Sequence, residues 1–159
     1  MTFAFTLAGA PRSKKTSNRL VTLKTADGRK FQKILPSKAH EKWFRAAMQW
    51  APIIRGRLRE QGVELPIDKP VRVLAIWYTD GRTQADQTGY MQALADFLQA
   101  PVPSKKHLGK LLRDGAGIIV DDKQIARWHG DCRIERAGDS EPRIEVEIEI
   151  LEDWNDSRV

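Results

Sequence analysis

The segment from Val71 to Tyr78 constrains this chain most. Val71, Val73, Ala75 and Trp77 make one face of an extended strand apolar, and Leu74, Ile76 and Tyr78 do the same for the other. A strand with two apolar faces belongs in the middle of a sheet, covered above and below. The C-terminal segment Arg143–Ile150 is its complement. Ile144, Val146, Ile148 and Ile150 alternate with Glu145, Glu147 and Glu149, the pattern of a strand with one buried face and one acidic face in water. Phe3, Phe5 and Leu7 alternate in the same way, and Gly9-Ala10-Pro11 ends that strand. Leu20–Lys24 and Arg29–Leu35 read as a hairpin closed through Ala26-Asp27-Gly28, where Asp-Gly supplies the positive-φ turn. Two further strands are predicted at 117–120 and 125–134.

Helical periodicity appears twice. After Ser37, a plausible N-cap, Trp43, Ala47, Trp50, Ile54 and Leu58 form one apolar stripe that ends at Gly62. The tryptophans in it read as core rather than as a platform for stacked bases. Pro52 must kink or divide this helix, and its opposite face carries Lys38, Lys42, Arg45, Arg55 and Arg59. The second stripe, Tyr90, Ala93, Leu94, Phe97 and Leu98, begins near Asp86. Residues 12–19 are a basic, aperiodic loop. Residues 101–116 are basic and Gly/Pro-punctuated, long enough to mark a functional loop. These elements predict an α/β (α+β) fold: one domain over residues 1–151 with a mixed sheet and flanking helices, and a frayed tail over 152–159.

Charge is unevenly distributed. Residues 1–62 hold 14 Lys/Arg against 3 Asp/Glu, and residues 63–159 hold 13 against 18. A basic half joined to an acidic half suits a polyanion-binding surface beside a carboxylate-bearing one. A single cysteine, Cys132, excludes an intrachain disulfide and a cysteine-based zinc site, and reads as a small buried residue. His40, His107 and His129 have no metal-ligand spacing, and no Gly-rich phosphate loop is present. Without a long apolar run or a basic n-region, the sequence predicts a soluble, cytoplasmic protein with no membrane partner.

The candidate chemistry lies in carboxylates. Asp86 stands at a strand-to-helix junction, where it can act as an N-cap or as a ligand. Asp121-Asp122 follow the apolar run Gly117-Ile118-Ile119-Val120 and form either a simple turn or a second ligand pair. Phosphodiester cleavage calls for a hard cation, and Mg2+ is held by one or two carboxylates together with water and phosphate. Two acids that both leave buried segments could converge at one end of a sheet.

The element order, together with Gly117-Ile118-Ile119-Val120-Asp121-Asp122-Lys123-Gln124-Ile125, resembles the RusA-like crossover junction endodeoxyribonucleases, with their apolar run followed by Asp-Asp-x-Gln. The helix opening at Asp86 and running through Asp96-Phe97-Leu98 is similar to that family's Asp-led helix, and Arg143–Ile148 to its last strand. In this register Asp86 takes the first acid. Thr88 stands in place of the second acid, and Gln92 in place of the family lysine, for which Lys123 could partly substitute. The resemblance implies a homodimer that resolves four-way (Holliday) DNA junctions in recombination and repair. It would do so by symmetric, Mg2+-dependent hydrolysis, with Mn2+ able to replace Mg2+. Asp86, Asp121, Asp122 and Lys123 would be catalytic, the three aspartates would be metal ligands, and Arg12, Lys14, Lys15, Arg19, Lys105, Lys106 and Lys110 would contact phosphate.

Overall fold

The strands of this computed structural model, which describes residues 1–13, 19–35, 37–82 and 86–153, are nine in chain order. They are β1 (Thr2–Ala8), β2 (Arg19–Lys24), β3 (Lys30–Leu35), β4 (Val71–Thr79), β5 (Val102–Pro103), β6 (Leu111–Arg113), β7 (Ile125–Trp128), β8 (Arg133–Arg136) and β9 (Arg143–Ile150). Three helices join them: α1 (Lys38–Met48), α2 (Ala51–Glu60) and α3 (Gln87–Leu98). The main sheet is mixed, as the sequence predicts. Its order is β1-β9-β4-β7, with β8 pairing β4 beyond the end of β7. β9 is antiparallel to both β1 and β4, whereas β7 and β8 run parallel to β4.

β4 is central, but its two faces differ. Val71, Val73, Ala75 and Trp77 are wholly buried, while Arg72, Leu74, Ile76 and Tyr78 are only half-buried. The buried set joins Trp43, Ala47, Ile54, Leu58, Tyr90, Leu94 and Phe97 in one core. The predicted cover on both faces is therefore corrected. Cross-strand neighbours shield the second face in part: the Arg143 guanidinium lies 3.9 Å from the Tyr78 ring centroid, and Arg72 pairs with Glu149.

Ser37 caps α1, its Oγ accepting from the His40 N–H at 3.1 Å. Pro52 does not kink a continuous helix. It opens a new one, because a proline in the first turn needs no amide donor. Trp50 falls in the break, and this takes it off the apolar stripe: it is 42% exposed, against 6% for Trp43.

Three other expectations change. Residues 117–120 are not a sheet strand. Ile118 and Ile119 are fully buried, but their main-chain N–H groups donate to Leu98 O at the end of α3. The segment predicted as one strand over 125–134 is two, β7 and β8, separated by a turn at His129–Cys132. The loop 101–116 contains the small β5–β6 hairpin. The β2–β3 hairpin forms as predicted, with Gly28 at φ 87°, and pairs apart from the main sheet. Of the predicted tail, Glu152 pairs with Lys69, and residues 154–159 lie outside the described residues.

Candidate functional site

Asp121 and Asp122 occupy a tight turn just before β7, and Gln124 holds it. The Gln124 Oε1 accepts from the Val120 and Asp121 N–H groups at 2.7 and 2.9 Å. Its Nε2 donates to the Ile67 and Lys69 carbonyls at 3.0 and 3.2 Å. One amide thus ties the start of the turn to the segment that leads into β4, using its donors and its acceptor on backbone alone. The turn itself is a single 3-10 turn (Asp122–Gln124) capped by Asp121, whose Oδ1 accepts from the Lys123 N–H at 3.0 Å.

The other Asp121 oxygen, Oδ2, accepts from Arg113 Nη1 at 3.3 Å. Arg113 also donates to the Ala100 carbonyl, at 3.3 and 3.2 Å, and to the Val120 carbonyl at 3.2 Å. It is the last residue of β6, so one guanidinium ties the base of the β5–β6 hairpin to the carboxylate turn. Gly115 lets the returning chain pass. A Cβ there would lie 2.1 Å from the Gln99 carbonyl oxygen, inside any allowed contact.

The two aspartates are driven apart in acidity. The Lys123 N–H, a hydrogen bond with Asp122 and then Arg113 hold the Asp121 carboxyl below its ordinary range. Asp122 is pushed up, first by loss of water around its carboxyl, then by Asp121, and then by the charge of Asp96. Adjacent acids of this kind titrate as a coupled pair, the second proton harder to remove than the first. Asp96, near the C-terminal end of α3, is thus the third acid of the cluster. It accepts from Gln99 Nε2 at 3.3 Å and lines, with Arg113, Arg45 and Glu41, a cleft of about 540 Å3 against α1.

Asp86 is not at this end. Its side chain caps α3 by accepting from the Gly89 N–H at 2.7 Å. Ten residues of helix separate it from Asp96, about 15 Å at 1.5 Å per residue. Topology explains the separation. Asp86 follows the C-terminal end of β4, α3 runs back along the sheet, and Asp121-Asp122 precede β7, whose Ile125 pairs with Val71 at the start of β4. In a strand–helix–parallel strand unit, residues after the first strand and residues before the second lie at opposite ends. The predicted convergence of Asp86 with Asp121 and Asp122 is therefore corrected to two separate acid positions. Among the described residues, no group of three or more His, Cys, Asp or Glu side chains is arranged to hold a metal ion. The Asp121–Asp122 pair nonetheless suits a largely hydrated Mg2+, which takes one or two carboxylates and whose charge would offset the repulsion that raises Asp122.

Thr88 and Gln92, the two departures from the family pattern, are both exposed on α3. Lys123 is exposed as well, and its main-chain N–H is what holds Asp121. The basic candidates divide between the two ends. Arg12 lies 3.9 Å from Asp80, and Ser13 packs so closely on Gly89 that a Cβ there would sit 2.1 Å from the Ser13 Oγ. The basic loop therefore leaves from the Asp86 end. Lys14 and Lys15, together with the Arg19 side chain, lie outside the described residues. Lys105, Lys106 and Lys110 are exposed on the β5–β6 hairpin, at the Asp121 end. Its turn is held by Ser104 Oγ, which accepts from the Lys106 and His107 N–H groups.

Sequence reasoning missed three participants. Asp96 and Gln124 sit inside the quoted motifs, where residue type alone suggests no role for them. Arg113 had no local signal, because its partners lie on two segments, at Ala100 and at Val120-Asp121, that only the fold brings beside it. No protein-family model matches the chain, and no curated protein matches it. Among the described residues, no helix is long and apolar enough to cross a membrane.

Proposed function

We propose that this chain is a Mg2+-dependent DNA endonuclease acting on four-way junctions as a homodimer, with its reacting end at Asp121 and Asp122. One observation carries the reading. An adjacent carboxylate pair, one member lowered and the other raised in acidity, with Asp96 as a third negative neighbour, is joined through Arg113 to an exposed hairpin bearing Lys105, Lys106 and Lys110. A cation site beside a phosphate-contacting finger is the juxtaposition that phosphodiester hydrolysis needs. When bound, Mg2+ supplies Lewis-acid stabilisation of the phosphate and activation of a water. Asp121 and Asp122 hold the ion in this reading, Arg113 keeps Asp121 ionised and in place, and the lysines position the backbone. Asp86 acts as a helix cap and is outside the reacting set. The junction as substrate rests on the resemblance in the Asp-Asp-x-Gln segment.

A second reading, a DNA-binding protein without catalysis, is favoured by one observation: Asp86 stands apart from the other acids, with exposed Thr88 and Gln92 where the family carries an acid and a lysine. Nicking of a labelled four-way junction across a Mg2+ titration separates the two. The nuclease reading predicts metal-dependent nicks that Asp122→Asn removes while junction binding stays intact. Tight binding with no nick at any Mg2+ concentration would establish the second reading instead.

A further inference from the structure

We infer that β1 is a self-association edge, pairing antiparallel with β1 of a second copy of this chain about Phe5. The inference stands on the sheet alone and does not depend on the nuclease reading. The Gly9 N–H donates to the Pro142 carbonyl and the Ile150 N–H to the Met1 carbonyl. With the register Thr2↔Glu149 through Ala8↔Arg143, odd-numbered residues of β1 therefore bond to β9. The N–H and C=O groups of Thr2, Ala4, Thr6 and Ala8 then point away from the sheet, where β1 is the terminal strand.

The two edges of the sheet are built differently. The far edge is split into the short strands β7 and β8, and β8 carries Arg133, Glu135 and Arg136. Short length and charge are the usual protections of an exposed edge. β1, Thr-Phe-Ala-Phe-Thr-Leu-Ala, is seven residues long, without a charge or a proline. Beside it runs a cleft of about 660 Å3 whose walls include Ala4, Thr6 and Ala8 from β1, with Trp50 just before α2 and Ile53 within it. Trp50 and Ile53 are 42% and 47% exposed, an uncovered apolar shelf beside an uncovered row of backbone groups.

A second copy fits this edge better than an unrelated strand does. Centred on Phe5, antiparallel self-pairing sets Ala4 opposite Thr6 and Thr2 opposite Ala8, and these are the residues whose backbone groups point outward. Phe3 then meets Leu7, and Phe5 meets Phe5 of the partner copy, continuing the apolar face of the sheet. Charge placement agrees. The acidic row Glu145, Glu147 and Glu149 lies on β9, so the two rows would be three strand spacings apart, roughly 14 Å. That exceeds the Debye length of about 8 Å at physiological salt. β1 itself carries no charge, and the charged residues that share its cleft, Arg57, Glu145 and Glu147, are of both signs, so the edge does not select a peptide of one sign.

Sedimentation equilibrium of the full chain, with amide exchange measured at low and high protein concentration, tests this inference. The wild type should be dimeric, with the Ala4, Thr6 and Ala8 amides protected more strongly as concentration rises. Thr6→Pro removes an outward N–H and leaves the β9 ladder untouched, and Ile53→Glu charges the shelf from outside the sheet. Each should weaken the dimer by more than about tenfold in Kd, roughly 1.4 kcal/mol. If Thr6→Pro fails to fold by circular dichroism, Ile53→Glu and the amide protection decide. A wild-type monomer at all concentrations, or a dimer indifferent to both changes, would overturn the inference. So would concentration-independent exchange at the three amides.

Discussion

The two ends of α3 carry acids in opposite situations. At the N-terminal end Asp86 has what a carboxylate wants: a backbone N–H at 2.7 Å and the positive end of a helix dipole. At the C-terminal end Asp122 lies beside Asp121 and within the field of Asp96, and its carboxyl is pushed up by loss of water and then by these two neighbours. An acid that its own backbone satisfies is explained by folding. Two adjacent acids fixed side by side by a dedicated amide and a dedicated guanidinium, one of them shifted against ionisation, are not, and such arrangements concentrate at functional sites. The end at which the chain tolerates electrostatic discomfort is where its chemistry is best sought.

The contrast can be broken most severely at Gln124. Gln124→Ala removes four hydrogen bonds at once and takes from the Asp121 N–H and the Lys69 carbonyl their Gln124 partner, while the Val120 N–H and Ile67 carbonyl keep their bond to each other at 3.2 Å. A loss of roughly 2–3 kcal/mol is expected, read as a fall in the urea midpoint. A loss under about 0.5 kcal/mol would mean that the turn does not depend on this amide. Asp86→Ala should cost less, about 1 kcal/mol, as for other N-caps, and Asp86→Asn should recover most of it. Equal losses for Ala and Asn would show that Asp86 does more than cap.

The acids at the other end should respond with the opposite sign. The Asp122 carboxyl is raised in the folded state, so its penalty is absent below the ordinary carboxylate range of about 4. It develops as pH climbs through that range toward the raised folded value. Asp122→Asn should therefore melt higher than wild type at neutral pH in chelator, and the gain should vanish in acid. Asp121 is depressed, so its contribution is present above the ordinary range and is lost as pH falls through the folded value. Asp121→Asn should melt lower at neutral pH. Equal melting of the two variants from acid to neutral pH would contradict the opposite shifts of the two carboxyls. The smallest effect concerns DNA. Replacing Lys105, Lys106 and Lys110 by Ala should flatten the salt dependence of junction binding by about 0.9 for each phosphate that is no longer neutralised. An unchanged slope would move the DNA surface to the Asp86 end.

Much of the fold was legible because it is written locally. Alternation marked β1 and β9, Ser37 and Asp86 marked two helix starts, and Asp27-Gly28 marked a turn. The second face of β4 misled because Leu74, Ile76 and Tyr78 are apolar yet only half-buried. Residues 117–120 misled because an apolar run looks the same whether its backbone bonds go to a ladder or, as here, to the end of a helix. The candidate site was half legible. Asp121 and Asp122 could be found from their motif. Their separation from Asp86 could not, since it depends on β7 being parallel to β4, and no residue between them encodes that direction. Arg113 was invisible because its value lies in hydrogen bonds to Ala100, Val120 and Asp121 that only the folded chain brings within reach.

The central claim is that a divalent cation binds at the Asp121–Asp122 end and not at Asp86. Thermal melting with and without saturating Mg2+ tests it directly, in wild type, Asp122→Asn and Asp86→Asn. Ligand binding to the folded state raises stability by about 2.7 kcal/mol at a hundredfold excess over Kd. The account predicts a Mg2+-dependent rise in wild type and in Asp86→Asn, and none in Asp122→Asn. A rise that survives Asp122→Asn and disappears in Asp86→Asn would contradict it.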